Sequence, residues 1–353
     1  MSKSKDHKIK MNNDSDALPP VFKERLLKII PSAAQEGVLH SFRCLRPAAF
    51  RLHKPGVHAE DVEKGLTGSF DLRAIPELPG AFLIMREQVR ALQETRLYRE
   101  GAIYLQGLSS MSVAGVLDPQ PGEKILDMAA APGSKTTQIA RLMHGEGELV
   151  ANDVHRVRFY KLKAIVEAQG FGNVRLRLGR GEFLWKQMPE ACDRVLLDAP
   201  CSSEGRLSLL EPESLRFWKL SKIKEMAQKQ RGLILSAFGA LKPGGLLVYS
   251  TCTLAPEENE VLLSWALRKF GEAAEVVPSA VPWPSLPGLG EWEGKPLHPS
   301  LVLARRILPD EKLESFFICS IRKRHSWTPK PVDPESRESD ESKVRQRYRR
   351  NRG

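Results

Sequence analysis

Short apolar runs alternate with amphipathic stretches along most of the chain. Lys124–Met128, Glu148–Asn152, Val174–Leu178, Arg194–Leu197 and Gly245–Ser250 are short runs rich in Val, Leu and Ile that read as strands. Between and after them lie stretches of helical period: Lys135–Met143, Arg156–Gln169, Leu215–Leu241 and Glu257–Phe270. Apolar stretches at 275–278 and 316–321 supply two last strands. This rhythm predicts an α/β fold, with a mostly parallel, doubly wound sheet. Upstream, Phe22, Leu26, Leu27 and Ile30 recur at helical spacing between Pro19 and about Gly37, which predicts one short amphipathic helix. The runs Phe50–Leu52, Phe70–Leu72 and Ala81–Met85, set among turn residues, predict a small α+β domain. Gly101–Met111 followed by Val113–Leu117 reads as a strand, a turn and a helix leading to Pro121-Gly122. The stretch Pro282–Pro299, rich in Pro, Gly and Trp, breaks the rhythm. The division expected is a disordered segment 1–18, an N-terminal α+β domain 19–110, an α/β domain 111–323 and a disordered basic tail 324–353.

Composition narrows the class. With 41% hydrophobic and 27% charged residues over 353 positions, the chain is an ordinary globular one. No apolar run approaches the ~18 residues of a membrane span. The polar, mixed-charge N-terminus lacks the apolar core of a secretory signal. Five cysteines (Cys44, Cys192, Cys201, Cys252, Cys319) form an odd set with no CxxC pair. That argues against a disulfide scaffold and for a reducing, cytoplasmic location. The formal net charge of +11 points to a polyanionic partner, most often nucleic acid. Lys343–Arg352 is strongly basic and suited to a nonspecific grip on phosphates. A membrane partner is not expected, and a monomer is.

Candidate chemistry sits at strand ends, where open α/β sheets bind ligands. The apolar run Val195–Leu197 ends in Asp198-Ala-Pro-Cys201, where Pro200 stops the strand. The run Gly245–Ser250 ends in Ser250-Thr-Cys252. If these two strands are neighbours, both thiols face one cleft beside Asp198. Two such cysteines could be a disulfide pair, a metal site or a catalytic couple. Metal is the weakest of the three, because no His lies near either Cys in sequence. A thiol pair with an acid suits chemistry that needs a nucleophile and a separate proton acceptor. Earlier, Ile125–Thr137 reads as a strand, a small-residue turn (Ala129, Ala130, Ala131, Pro132, Gly133) and a helix start at Ser134-Lys135. The small residues let a ligand approach the backbone, and the helix start offers free N–H groups. GxGxxG is absent, and Ser134 occupies the place where a phosphate-binding P-loop needs Gly. Asp153, ending the next strand, is suited to both hydroxyls of a ribose, so the expected cofactor carries a nucleoside.

The stretches Asp127-Met-Ala-Ala-Ala-Pro-Gly-Ser-Lys-Thr, Asp198-Ala-Pro-Cys-Ser and Ser250-Thr-Cys-Thr resemble the signature motifs of RNA cytosine-5 methyltransferases of the Nol1/Nop2/Sun (Fmu/Sun) family. The likeness runs from about Arg51 to Ile321 and includes Gly101–Met111 and the closing Arg306-Ile-Leu-Pro…Phe316-Phe317. It implies a Rossmann-like class I sheet and S-adenosylmethionine as methyl donor. It implies Cys252 as the nucleophile, Cys201 as the thiol that helps release product, Asp198 as the group holding the base at N3, and Lys135 near the target. It also implies a cofactor set of Asp127, the 129–135 loop, Asp153, Arg158, Glu182 and Asp198. The substrate implied is RNA with a single-stranded, looped or flipped cytosine, ribosomal RNA before transfer RNA. Four positions depart from the family pattern: Ser134 for a second Gly, Arg180 with Glu182 nearby where an adenine-binding Asp is usual, His53 in Arg51-Leu-His53, and Glu314-Ser315 before Phe316-Phe317. The alternatives are an exocyclic-amine methyltransferase, a noncatalytic RNA-binding or ribosome-assembly factor on the same fold, and a nicotinamide dehydrogenase. Asp198-Ala-Pro-Cys201 does not match the acid or amide, Pro-Pro and aromatic that the first needs, the intact thiol pair disfavours the second, and the missing GxGxxG the last.

Overall fold

The computed structural model describes residues 18–329, Pro55 and Phe217 excepted. The expected disorder of residues 1–17 and the basic stretch Lys343–Arg352 lie outside the described residues. Among the described residues, no helix is long and apolar enough to cross a membrane.

Strands β1 (Ala48–Leu52), β2 (Arg73–Ala74), β3 (Ala81–Ile84) and β4 (Ile103–Leu105) form an antiparallel sheet in the order β2-β3-β1-β4. The helix Ala59–Leu66 buries Val62 and Leu66 against Phe50, Phe82, Ile84 and Ile103 of that sheet. The larger sheet is built on β5 (Lys124–Asp127), β6 (Glu148–Asp153), β7 (Val174–Leu178), β8 (Cys192–Asp198) and β9 (Leu241–Thr251). These are parallel, in the order β7-β6-β5-β8-β9. The chain returns through β10 (Ala274–Val277), β11 (Leu286–Pro287), a hairpin of β12 (Glu291–Trp292) and β13 (Lys295–Pro296), β14 (Arg305–Ile307) and β15 (Phe316–Lys323). β15 runs antiparallel between β9 and β14, and β10 pairs with its other end. The strand order reverses between β5 and β8, so the crevice at their carboxyl ends is where such a sheet binds ligands.

The α/β rhythm expected from the sequence is present, with local differences. The segment 19–37 forms two helices, Pro20–Ile29 and Ser32–Ser41. Pro31 has no N–H to continue the first and pushes Ile30 into extended backbone (φ −105°, ψ 131°). These helices pack on Leu207, Leu254 and Trp292, so their core is shared with the large sheet's loops and not with β1–β4. The stretch 215–241 is likewise two helices, Pro212–Arg216 and Leu220–Ala240, separated by Lys219 in extended backbone. The helix expected from Glu257 starts at Glu260, because Glu258 and Asn259 turn their side chains onto the neighbouring loops. The tail expected to be disordered from 324 instead packs at its start. Trp327 meets the rings of Phe238 and Phe270 edge-on, and the buried Lys323 ammonium binds Glu190 and three carbonyls there.

Candidate active site

The parallel pairing of β8 with β9 sets Asp198 opposite Ser250 and carries the two following loops to one place. The Cys201 and Cys252 sulfurs lie 3.4 Å apart there, both half-buried. Ser203 Oγ stands 3.6 Å from Cys252 Sγ and 3.9 Å from Cys201 Sγ. The pair is asymmetric. The hydrogen bond from Cys201, assisted by the positive charge of Arg206, brings Cys252 down to about 7 against the cost of burial. The same bond, together with burial, pushes Cys201 well up. Cys252 is thus the more acidic of the two thiols and Cys201 the less acidic.

Asp198 lies on the same cleft. Its Oδ1 accepts from Ser250 Oγ (2.8 Å) and its Oδ2 pairs with Lys135 Nζ at 2.7 Å. Lys135 is buried, donates to Ser110 Oγ (2.8 Å) and sits 5.4 Å over the Phe316 ring. A second carboxyl, this one buried, stands behind the thiols. Glu258 accepts from Ser202 N (3.0 Å) and from Gln230 Nε2 (2.9 Å), and Gln230 also donates to the Pro200 carbonyl (2.8 Å). Burial pushes Glu258 up to about 8. It holds the Pro200–Ser202 loop in position and does not line the cleft.

The small-residue loop forms the other wall. Gly133 has φ +116°, and a Cβ there would stand 3.0 Å from Leu162 Cδ1, so only glycine fits without strain. Ala129, Ala131, Pro132 and Ser134 line the cleft, and Arg158 reaches across to bond the Ala131 carbonyl. The cleft has a volume of about 550 Å³, in the range of sites for small ligands.

The structure brings together most of the residues the sequence singled out, but not all. Cys201, Cys252, Asp198, Lys135 and Arg158 share one cleft with the loop. Asp127 is buried and does not line it. Its Oδ2 accepts from Thr136 Oγ1 (2.7 Å), and burial raises it to about 7, so it braces the first turn of the helix Ser134–Leu142. Ala130 and Gly133 are buried and do not line it either. Asp153 is also buried; its two oxygens accept from Ala131 N (3.1 Å) and His155 N (2.7 Å), which ties the loop to the end of β6. Each oxygen keeps a second lone pair. Glu182 is turned away, 3.5 Å from Arg180 and packed against Gly232. Residues to which the sequence reading gave no role at the site also line the cleft: Tyr104, Gln106, Ser203, Arg206 and Glu314. They lie on loops and edges whose convergence no local pattern announces. Among the described residues, no cluster of His, Cys, Asp or Glu could hold a metal ion.

Comparison with known proteins agrees with this geometry. A family model described as 16S rRNA methyltransferase RsmB/F matches residues 114–322. The chain is 38% identical over 316 residues to a ribosomal RNA small subunit methyltransferase F of Vibrio parahaemolyticus, covering 88% of this chain and 64% of that one. It is 36% identical over 301 residues to a tRNA (cytosine(49)-C(5))-methyltransferase of Pyrococcus abyssi, covering 85% of this chain and 94% of that one. A solved methyltransferase homologue from Pyrococcus horikoshii superposes with a TM-score of 0.72 at 32% identity, over 87% of this chain and 100% of that one. The chain therefore spans under two thirds of the Vibrio relative and nearly all of the archaeal one.

Proposed function

The chain belongs to the RsmB/F methyltransferase family, and from that premise we propose that it transfers a methyl group from S-adenosylmethionine to carbon 5 of a cytosine in RNA. The observation that carries the reading is the thiol pair, 3.4 Å apart on one cleft with Asp198. Cytosine carbon 5 is too weak a nucleophile to be methylated directly. Addition of the Cys252 thiolate to carbon 6 turns carbon 5 into an enamine carbon that accepts a methyl group. Asp198, anchored by Ser250 and Lys135, holds the ring at N3 and favours its protonation. Water in the open cleft then takes the carbon 5 proton, the pair of that C–H bond restores the carbon 5–carbon 6 double bond, and the Cys252–carbon 6 bond breaks with its pair leaving on the sulfur. Cys201, the less acidic thiol and 3.4 Å from the Cys252 sulfur, supports a role in that release by giving its proton to the departing sulfur.

The residues of the opposite wall fit the proposed methyl donor. Ala129, Ala131 and Pro132 leave a wall of backbone and small side chains. Asp153 retains acceptor capacity for ribose hydroxyls, and Arg158 stands at the rim. S-adenosylmethionine, when bound, supplies an electrophilic methyl group. Glu182, ion-paired with Arg180, is not part of this set. A ribosomal RNA substrate is favoured by the matching family model. The archaeal relative acts on a tRNA by its description, which makes transfer RNA the second arm of the test.

The test uses total RNA from cells deleted for the gene, with labelled S-adenosylmethionine and bisulfite sequencing of the product. Methylated cytosines in 16S ribosomal RNA are expected; methylation confined to transfer RNA would move the substrate assignment. Cys252→Ala should abolish transfer while cofactor binding persists, and unchanged turnover would sink the mechanism. Cys201→Ala should leave a covalent protein–RNA adduct, visible as a shifted band on a denaturing gel.

A further inference from the structure

We propose that Arg206 is a phosphate hook: its guanidinium binds a backbone phosphate beside the target cytidine and seats that nucleotide over Cys252. The inference rests on the proposed RNA substrate and adds a binding residue to it. Three cations line the cleft. Lys135 is committed to Asp198 and Ser110. Arg158 is committed to the Ala131 carbonyl. The Arg206 guanidinium forms no ion pair and no hydrogen bond with any described residue, although it is exposed on the cleft itself. Glu314 attracts it only from beyond ion-pair distance.

The turn that presents Arg206 is rigidly built. Ser203 takes left-handed backbone (φ 60°), and Gly205 N donates to the Cys252 carbonyl at 2.9 Å. A Cβ at Gly205 would stand 2.6 Å from the Ser315 carbonyl oxygen, so the position admits only glycine. Glu204, buried beneath, accepts from Trp218 Nε1 (2.8 Å) and Thr253 Oγ1 (3.0 Å). The backbone of the nucleophile's own loop therefore fixes where Arg206 starts. The nearness is also electrostatic: the Cys252 thiolate is the chief group raising Arg206, and Arg206 in turn lowers Cys252.

An arginine carried on a fixed turn, its guanidinium with no ion pair or hydrogen bond among the described residues and at the mouth of a cleft for a polyanion, matches a phosphate in charge and in its paired donors. A cytidine drawn out of a stack brings its flanking phosphates to the mouth, while its ring goes inward to Asp198 and Lys135. One such contact releases about one counterion, so its loss should reduce the salt dependence of RNA binding by about one unit of slope.

The experiment measures kcat and KM of the full chain with total RNA from gene-deleted cells, over a series of KCl concentrations. Wild type, Arg206→Ala and Arg206→Lys are compared. Arg206→Ala should raise the KM for RNA roughly tenfold, as expected for a lost charge-assisted hydrogen bond. Its slope of log KM against log salt should fall by about one, and its KM for S-adenosylmethionine should stay unchanged. Arg206→Lys should keep the slope and recover much of the affinity. An RNA KM and slope equal to wild type would overturn the proposal. A fall in kcat alone, with the acid limb of the pH profile displaced upward, would overturn it too, because Arg206 would then act on the thiol and not on RNA. Methyl transfer absent from wild type itself would instead refute the underlying activity.

Discussion

At the scale of single residues, two identical thiols are given different acidities, and the proposed mechanism gives them different tasks. Cys201 and Cys252 have the same chemistry in solution, and only their surroundings separate them. The largest influence on Cys252 is the hydrogen bond from Cys201, so the difference between the two depends on their contact. Peptide-mapped alkylation by iodoacetamide, without RNA or cofactor, should show Cys252 reacting with a midpoint near pH 7 and Cys201 reacting far more slowly. In Cys201→Ala the Cys252 midpoint should rise toward the ordinary thiol range, and an unmoved midpoint would refute the contact's role. Asp127 gives a second residue-scale outcome. Its folded value of about 7 lies above its ordinary 3.8, so the fold disfavours its charged form. That penalty is absent below about pH 4, grows as pH rises toward 7 and stays constant above. Asp127→Asn keeps an acceptor for Thr136 and removes the penalty. Urea unfolding at pH 4.5, 6 and 7.5 should therefore show wild type losing stability relative to Asp127→Asn as pH rises.

At the scale of elements, the sequence and the structure agree where burial is strong and local. β5, β6, β8 and β9 are runs whose side chains are buried on both faces, and such runs announce themselves as apolar stretches ending in Asp, Asn or Ser. Cys201, Cys252 and Asp198 were legible because each follows one of these runs directly. The helix break at Pro31 was also written in the chain, in a residue that cannot continue a helix, although the apolar spacing alone read as one helix. What was not legible depends on long-range pairing. Asp127 has the chemistry of a ligand-binding acid but turns onto Thr136, and nothing in its spacing distinguishes the two uses. Arg306 is another case: it is buried on β14 and bonds Glu260, at the start of the helix Glu260–Phe270, and the Leu254 carbonyl just past Cys252. Removing one member leaves an uncompensated buried charge, so Arg306→Met or Glu260→Leu alone should cost about 3–5 kcal/mol in urea unfolding. The double variant should cost less than either single. Additive losses would show that the two residues do not act as a pair.

At the scale of the whole molecule, the question is how a small antiparallel sheet acts on a cleft formed by a different one. The answer lies in Arg51, on β1. Its guanidinium is buried and has no carboxylate partner among its hydrogen bonds; burial brings it down to about 9. It donates to Gln106 Oε1 (2.8 Å), the Leu52 carbonyl (3.1 Å), the Ser134 carbonyl (2.6 Å) and Thr137 Oγ1 (3.1 Å). Neutral His53, held far below its ordinary range by burial and by Arg51, accepts from it at Nδ1 and stacks on Tyr104 at 4.9 Å. Tyr104 and Gln106 line the cleft, and Ser134 belongs to the small-residue loop. One side chain thus fastens the N-terminal sheet to both the proposed RNA side and the proposed cofactor side. Lysine keeps the charge but cannot make this planar set of bonds. Arg51→Lys should therefore weaken S-adenosylmethionine binding, read by calorimetry, and raise the KM for RNA, each several-fold and together. A variant that unfolds at lower temperature yet keeps both affinities would show Arg51 to be a brace for stability alone. Loss of RNA affinity without loss of cofactor affinity would place its influence on Tyr104 and not on the loop.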